Sequence, residues 1–396
     1  MTSISIVGGG MVGASLALAL QAGARDAGWQ INLIEAQPPK AGGYQPSYDA
    51  RSTALSQGSC RLFEQLGIWK RLSERVEPIA HIHVSDQGHP GITRLAARDE
   101  GVPALGYVVD NTWLGEVLLQ ALDTSVVQWL APMQVTAAQP RAGGYQLTLN
   151  AAEGEQTLET DLLVVADGGR SGLLDSLGVH RHQRRYGQTA IIANITSSKG
   201  HQGVAYERFT PNGPLALLPL SDQRSALVWT LPEDQANDVL ALADNEFLQQ
   251  LQQAFGYRLG GLIRVGERHA YPLSLIEAAE QVRPHLVVLG NAAHSLHPIA
   301  GQGFNLSLRD TLALAEHLLA AADQRKNPGD LSLLQSYWQQ QQGDQQLTVA
   351  FSDRLTRLFS NRQPLLTAGR NLGLLGLDLL PPVKHLLARQ AMGLKA

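Results

Sequence analysis

The sequence predicts an α/β fold, with a Rossmann-like βαβ domain interrupted by an inserted antiparallel sheet and followed by a helical C-terminal region. Three observations predict it. A glycine-rich turn joins an apolar strand to an Ala- and Leu-rich helical run at the N-terminus. Buried-strand patterns of the parallel-sheet kind return at 161–166 and 286–289. Between them, 188–231 holds several strands with no helix between.

The elements follow in order. Ser3 to Val7 is the first strand, Met11 to Ala27 a helix, and Ile31 to Glu35 the second strand. Residues 51–75 read as helical, with Leu62, Leu66 and Leu72 on one face. Segments 81–97 and 103–109 read as short strands and 111–123 as a helix. Tyr145, Leu147 and Leu149 alternate, with Gln156 to Leu158 as partner strand and turns at Gly143-Gly144 and Glu153-Gly154. The strands of the inserted block are Ala190–Ile195, Ala205–Thr210, Leu215–Leu220 and Ser225–Thr230. Residues 236–255 are helical, Asn305 to Ala322 is a long amphipathic helix, and 331–393 is helical and loop-like. The expected domains are a discontinuous one over 1–75, 100–185 and 275–330, a sheet domain over 76–99 and 186–274, and the helical region 331–396.

Composition narrows the classes. The 396 residues suffice for two or three domains, and 44% apolar with 17% charged is ordinary for a globular chain. A net charge of −4 points away from nucleic acid as a partner. Cys60 is the only cysteine, which excludes an intramolecular disulfide and suits a reducing compartment. Neither a basic leader nor a run of about 18 apolar residues is visible, so the expected location is cytoplasmic, or peripheral at the inner face of a membrane. None of the 12 histidines shows metal-site spacing, so no metal is assigned. Ser171 lacks a G-x-S-x-G elbow, which rejects a serine hydrolase.

The first candidate site is Gly8-Gly9-Gly10-Met11-Val12-Gly13. Gly8 allows the tight turn, Gly10 lets the backbone approach a pyrophosphate, and Gly13 lets helix and strand pack closely. The helix N-terminus then attracts the phosphates. Glu35, 22 residues after Gly13, ends the second strand where a carboxylate accepts hydrogen bonds from an adenosine ribose. This fingerprint does not separate FAD from NAD. Two later segments have the same character. One is the buried strand ending in Asp167-Gly168. The other is the strand entering Gly290-Asn291, followed by His297-Pro298-Ile-Ala-Gly301-Gln302-Gly303-Phe-Asn305 at the mouth of a helix.

In order and spacing, these three segments resemble the FAD motifs of the FAD-dependent aromatic monooxygenases. The run His297 to Asn305 is similar to the signature of the ubiquinone-biosynthesis hydroxylases, and the likeness extends from residue 1 to about 395. His83–His89, Glu207–Thr210 and Gly213–Pro219 look most like the branch that acts on 2-octaprenyl-6-methoxyphenol. The resemblance implies an aromatic-hydroxylase-type fold and FAD as cofactor. It further implies a polyprenylated phenol and O2 as substrates, and NAD(P)H as donor with no binding fingerprint of its own. It places Arg51 on the FAD pyrophosphate and Asn111 near the ribityl-phosphate chain. The family's third motif usually reads Gly-Asp; here Asn291 stands in the second position, and its amide can still serve the ribityl chain.

Such chemistry needs reduced flavin held as its anion, oxygen adding at flavin C4a in a dry pocket, and a phenol ring brought to it. The Gly301-Gln302-Gly303 turn beside Pro298 suits the first need, since backbone N–H groups and a helix N-terminus would face the flavin N1/O2 side. Leu215, Leu217 and Pro219, with Phe209 and Trp229, are candidate pocket walls or plain core. Arg208 and His297 are the polar candidates for holding or deprotonating the phenol; a surface salt bridge and a turn histidine are their ordinary alternatives. The Leu- and Gly-rich segment 364–394, with Arg370, Lys384, Arg389 and Lys395, fits a core-covering helix pair, a homodimer contact, or a surface for a membrane or a biosynthetic complex. A flavin-dependent isoprenoid reductase, a halogenase lacking its W-x-W-x-I-P run, and a non-catalytic FAD-bound scaffold remain as alternatives.

Overall fold

The computed structural model describes residues 2–38, 51–152, 154–359 and 363–394. Glu153 of the predicted turn, Asp49-Ala50 ahead of Arg51, and Lys395 lie outside them.

A six-stranded sheet forms the first layer. Its order is Val282–Arg283, Leu286–Val288, Leu162–Val165, Ser3–Val7, Gln30–Ile34, Val127–Leu130. Five strands are parallel and the Val282–Arg283 edge is antiparallel. The central strands are buried because both faces are covered, and their buried positions are apolar apart from Ser5 and Asn32, whose side chains bond each other at 3.3 Å. Helices Met11–Ala27 and Gln302–Asp323 pack on one face, around Leu16, Leu20, Leu314 and Leu318. On the other face lies the three-stranded meander Gln134–Arg141, Gly144–Ala151, Gly154–Thr160, which pairs Leu147 with Leu158 as its alternation predicts.

The second layer is a nine-stranded sheet. It contains Arg181–Ser197, Val204–Thr210, Gly213–Pro219, Arg224–Pro232, Leu262–Val265 and His269–Ala278, together with His81–Asp86, Ile92–Ala96 and the short His294–Ser295. Most pairings are antiparallel. Val204–Thr210 pairs in parallel with His81–Asp86 across more than a hundred residues of chain. Helices Glu233–Leu240 and Asp244–Phe255 cover its outer face; the predicted single helix over 236–255 breaks at 241–243.

One local expectation fails. The start of the predicted helix over 51–75 is a strand, Ser52–Ser56, which pairs with Gly106–Asp110 in a small sheet completed by Val76–Ile79. Helix begins only at Gln57, where the Ser56 hydroxyl accepts from the Ser59 N–H. Cross-strand pairing overrides the helical reading of 52–56.

Two C-terminal helices, Pro364–Leu379 and Pro381–Ala391, roof the space between the layers. A buried ion pair fixes them. Arg370 donates from Nε to Asp86 Oδ2 at 2.8 Å and from Nη2 to Oδ1 at 3.3 Å, and Asn371 Nδ2 donates to Asp86 Oδ2 at 2.8 Å. Arg370 and Asp86 are both buried. Removing one partner strands the other charge away from water. Asp86→Ala should therefore cost about 3–5 kcal/mol in urea unfolding, and a loss below about 1 kcal/mol would place the pair effectively at the surface.

Candidate active site

One cavity of about 1330 Å³ lies between the two layers, at the carboxyl ends of the parallel strands. That is where open α/β sheets bind ligands. It exceeds the roughly 300–1,000 Å³ of common ligand pockets, leaving room for a dinucleotide and a second molecule.

At one end the cavity is lined by Gly8, Gly10, Glu35, Arg51, Asp167 and Gly168. Gly8 turns with φ +106°, and a Cβ there would meet the Ala166 carbonyl at 2.6 Å. A Cβ on Gly13 would sit 2.0 Å from the Gly8 oxygen, so this helix can reach the turn only as glycine. Helix Met11–Ala27 has no side-chain cap and no acid in its first turn, which leaves its N-terminal field directed at the cavity. Glu35 accepts from the Gly9 N–H at 2.8 Å and from the Gln37 N–H at 2.8 Å. These bonds orient the carboxylate and leave lone pairs for a diol. The Arg51 guanidinium lies over the Tyr271 ring at 4.8 Å. Asn111, buried, accepts from Thr53 Oγ1 at 2.6 Å. Asp167 receives the Gly169 and Ser171 N–H groups, a turn that Gly168 and Gly169 close with φ near +71° and +72°.

Gly290 turns with φ +64° against Val12 of the first helix and does not line the cavity; exposed Asn291 beside it does. Pro298, Gly301, Gln302, Gly303 and Asn305 all line it too. The helix begins at Gln302, capped by Gly301 at φ +59° without a side-chain cap or first-turn acid. A Cβ on Gly303 would meet nothing within 4 Å, so this first turn borders open space. Buried Asn305 works as a staple. Its Oδ1 accepts from the Ser56 N–H at 2.9 Å and Ser59 Oγ at 2.7 Å, and its Nδ2 donates to the Ala54 and Gly301 carbonyls at 2.8 and 2.7 Å. Asn305 thus positions the turn that Gly303 presents. Gln302 Nε2 reaches the Ala391 carbonyl of the last helix at 3.3 Å. Two uncapped helix N-termini and a pre-oriented carboxylate on one cavity fit a pyrophosphate, a flavin ring and an adenosine ribose.

At the other end, strand parity decides what faces the cavity. Ala205, Glu207 and Phe209 line it from Val204–Thr210, with Ala216, Leu218 and Val228 beside them; Tyr206, of the other parity, also reaches it. Leu215, Leu217 and Trp229 point the opposite way, into the core with Phe247 and Leu251. Of the two readings open for Leu215 and Leu217, pocket wall or plain core, the helix-facing core is the one they take, and of their two aromatic companions only Phe209 borders the cavity. Arg208 also points away: its Nε donates to the Ala254 carbonyl at 3.0 Å, near the end of helix Asp244–Phe255. This geometry makes it a helix anchor rather than a group in reach of a phenol.

The residue missed is Glu207. Its carboxylate has no hydrogen bond or ion pair among the described residues, and burial alone pushes it up to about 7. Period-2 alternation from Phe209 was the available signal. His297 lines the cavity, 1% exposed, with neither ring nitrogen partnered among the described residues. Burial lowers it to about 4, so it stands as a neutral imidazole edge-on to Tyr186, 5.3 Å between ring centroids. A perturbed, unpartnered acid in a cleft is a functional candidate.

Glu35→Gln should weaken binding of FAD about 10- to 100-fold, read as flavin fluorescence on titration. Unchanged affinity would remove Glu35 from the ribose site.

Comparisons with known proteins agree with this geometry. A family model described as FAD binding domain matches residues 1–352. The ubiquinone hydroxylase UbiL of Rhodospirillum rubrum is 37% identical, covering 99% of this chain and 90% of that protein. The 3-demethoxyubiquinol 3-hydroxylase of Escherichia coli is 31% identical, covering 99% of each. The crystal structure of p-nitrophenol 4-monooxygenase PnpA from Pseudomonas putida superposes with a TM-score of 0.80 at 17% identity over 100% of each chain, a likeness of fold.

Proposed function

The chain belongs to the FAD binding domain family, as a FAD-dependent aromatic-ring monooxygenase, and from that premise we propose that it hydroxylates a polyprenylated phenol in ubiquinone biosynthesis. The reaction we assign converts 2-octaprenyl-6-methoxyphenol to 2-octaprenyl-6-methoxy-1,4-benzoquinol, with O2 and with NAD(P)H as donor. This is the UbiH-type step, and the Glu207–Thr210 and Gly213–Pro219 segments support it. A second reading, another ring position of the same pathway, is favoured by the similarity to the E. coli 3-hydroxylase. On either reading the blocks 1–75, 100–185 and 275–330 hold the cofactor, and 76–99 with 186–274 hold the substrate.

When bound, FAD supplies the electrons and the site of O2 activation. The protein's share is binding, orientation and proton handling. The N-terminus of Met11–Ala27 and Arg51 hold the diphosphate, Glu35 the ribose, and Asn291 the ribityl chain. The Gly301–Gly303 turn places N–H groups and the field of Gln302–Asp323 where negative charge collects. Apolar Val84, Ala216, Leu218 and Phe209 exclude water from the ring.

The observation that carries the substrate reading is one unpartnered acid among the mainly apolar side chains Val84, Ala205, Phe209, Ala216 and Leu218. Glu207 can accept the phenol's hydrogen bond there and draw off its proton as the ring is attacked. This makes Glu207, in place of Arg208, the proton acceptor, with neutral His297 as a second hydrogen-bonding group. The test is incubation of the FAD-loaded protein with NADPH, 18O2 and a short-chain prenyl methoxyphenol. One 18O atom per quinol product supports the reading; flavin oxidation that yields only hydrogen peroxide, with no labelled ring product, sinks it.

A further inference from the structure

A buried pair of ionisable side chains lies behind the flavin end of the cavity and has no part in the chemistry above. His294 Nε2 is hydrogen-bonded to Asp310 Oδ2 at 2.8 Å, and both side chains are buried. Neither residue lines the cavity, but their neighbours do. Asn291, Ser295 and His297 line it around His294. Gly303 and Ser307 line it from the helix face that Asp310 continues. The bond therefore joins, from behind, the two pieces of chain assigned to the flavin: the segment from Asn291 to His297 and helix Gln302–Asp323.

The pair is anchored in turn. Asp310 Oδ2 also accepts from Gln345 Nε2 at 3.0 Å, on helix Leu331–Phe359. Gln281 and Gln345 exchange amide hydrogen bonds at 2.9 and 3.1 Å, and Gln281 adjoins the Val282–Arg283 edge of the parallel sheet. Four elements are thus tied to one carboxylate. His294 Nδ1 and Asp310 Oδ1 are buried without a partner among the described residues, so the bond to Asp310 alone directs the imidazole. Stability does not account for this arrangement. Two apolar side chains of similar volume would hold a buried contact as well or better, and would leave no orphaned polar atom. A hydrogen-bonded pair adds what an apolar contact lacks, which is a fixed direction.

We propose that His294 and Asp310 are positioning residues for the flavin: their bond holds the Asn291–His297 segment in register with the Gly301–Gly303 turn, so that both meet the cofactor together. The proposal rests on the assignment of FAD to this end of the cavity and is independent of which phenol is hydroxylated. Each residue acts through its neighbours, His294 through Asn291 and His297, Asp310 through Gly303. Without the bond, the N–H groups of the turn lose their aim at the place where negative charge collects on reduced flavin, which weakens binding and disfavours reduction.

The experiment compares His294→Gln with His294→Asn. A glutamine amide reaches about as far as the imidazole Nε2 and can donate to Asp310, whereas an asparagine amide is one carbon shorter and falls short of it. The full chain is titrated with FAD by fluorescence, and the visible spectrum and reduction potential of the bound flavin are recorded with no phenol present. His294→Gln should match the wild type within about two-fold in FAD affinity. His294→Asn should bind FAD about 10-fold or more weakly, with a shifted spectrum and a lower potential. The double variant His294→Leu, Asp310→Leu separates position from stability. Its apoprotein should melt at least as high as that of His294→Asn, since no carboxylate is stranded, and its flavin should show the same defects. Glutamine and asparagine variants with equal flavin properties overturn the proposal, as does a double variant whose flavin behaves as in the wild type. If the double variant does not fold, the glutamine and asparagine comparison decides alone. Wild type that takes up no FAD would instead remove the cofactor assignment, a result read before any variant is made.

Discussion

Glu207→Gln is expected to lower the hydroxylation rate about 100-fold or more while FAD stays bound and NAD(P)H is still consumed, its electrons appearing as hydrogen peroxide. The amide keeps the shape of the side chain but cannot take the phenol's proton. A free phenol gives up its proton near pH 10, about three units above Glu207, so the proton moves only as the attacked ring becomes more acidic. The carboxylate must be ionised to accept it. Wild-type kcat/KM should therefore rise with pH through a limb near 7, and the variant should lack that limb. Among the other ionisable groups bordering the cavity, Arg370 is neutralised by Asp86, His297 is already neutral well below this window, and Glu35, Arg51, Asp167 and Arg170 lie at the cofactor end. A limb that survives the substitution, or wild-type turnover, would remove Glu207 from the chemistry.

Stability gives an independent reading of the same group. Its pKa is raised on folding, so the folded state favours the protonated acid. The associated stability is complete below the ordinary glutamate range, about 4.3, and is lost as pH rises through about 7. Glu207→Gln should thus melt higher than wild type at pH 8, with the gap closing toward pH 4. An unburied, solvated carboxylate would show no such gap.

The legible part of this molecule is what short stretches of chain impose on themselves. Gly8 to Gly13 and Glu35 belong to one βαβ unit, and the spacing that makes the unit also makes the nucleotide site. The meander around Leu147 was legible for the same reason, because its partner strand is adjacent in sequence. The illegible part depends on partners far away. Ser52–Ser56 becomes a strand only because Gly106–Asp110 lies beside it. The Asp86–Arg370 pair joins residues 284 apart, and neither side chain announces the other. The substrate wall stayed undecided for a narrower reason. Alternation along Gly213–Pro219 was visible, but whether odd or even positions met the cavity was set by which layer lay on which side. A shift of one residue reverses every assignment. That single ambiguity left Leu215 and Leu217 open as wall or core, left Ala216 and Leu218 unnamed, and put Arg208 forward in place of Glu207.

Gly303→Ala should separate cofactor binding from folding, which the fingerprint glycines cannot do. At Gly13 a methyl group would lie 2.0 Å from the Gly8 oxygen, so Gly13→Ala disturbs the βαβ unit itself, and flavin loss there would be uninformative. At Gly303 the methyl meets no protein atom within 4 Å. Alanine in a helix is favoured over glycine by about 1 kcal/mol, so the apoprotein should be as stable as wild type or slightly more so. The methyl nevertheless enters the cavity at the turn assigned to the flavin ring, where N–H groups must come close to be effective. FAD affinity should fall about 10-fold or more, and the flavin that does bind should show a shifted absorption spectrum and a lower reduction potential. Thermal melting of the apoprotein and a fluorescence titration of FAD decide the matter together. Equal affinity with equal stability would mean that the ring lies elsewhere in the cavity, whereas lost stability would mean that the turn has no room for a methyl group in the absence of cofactor.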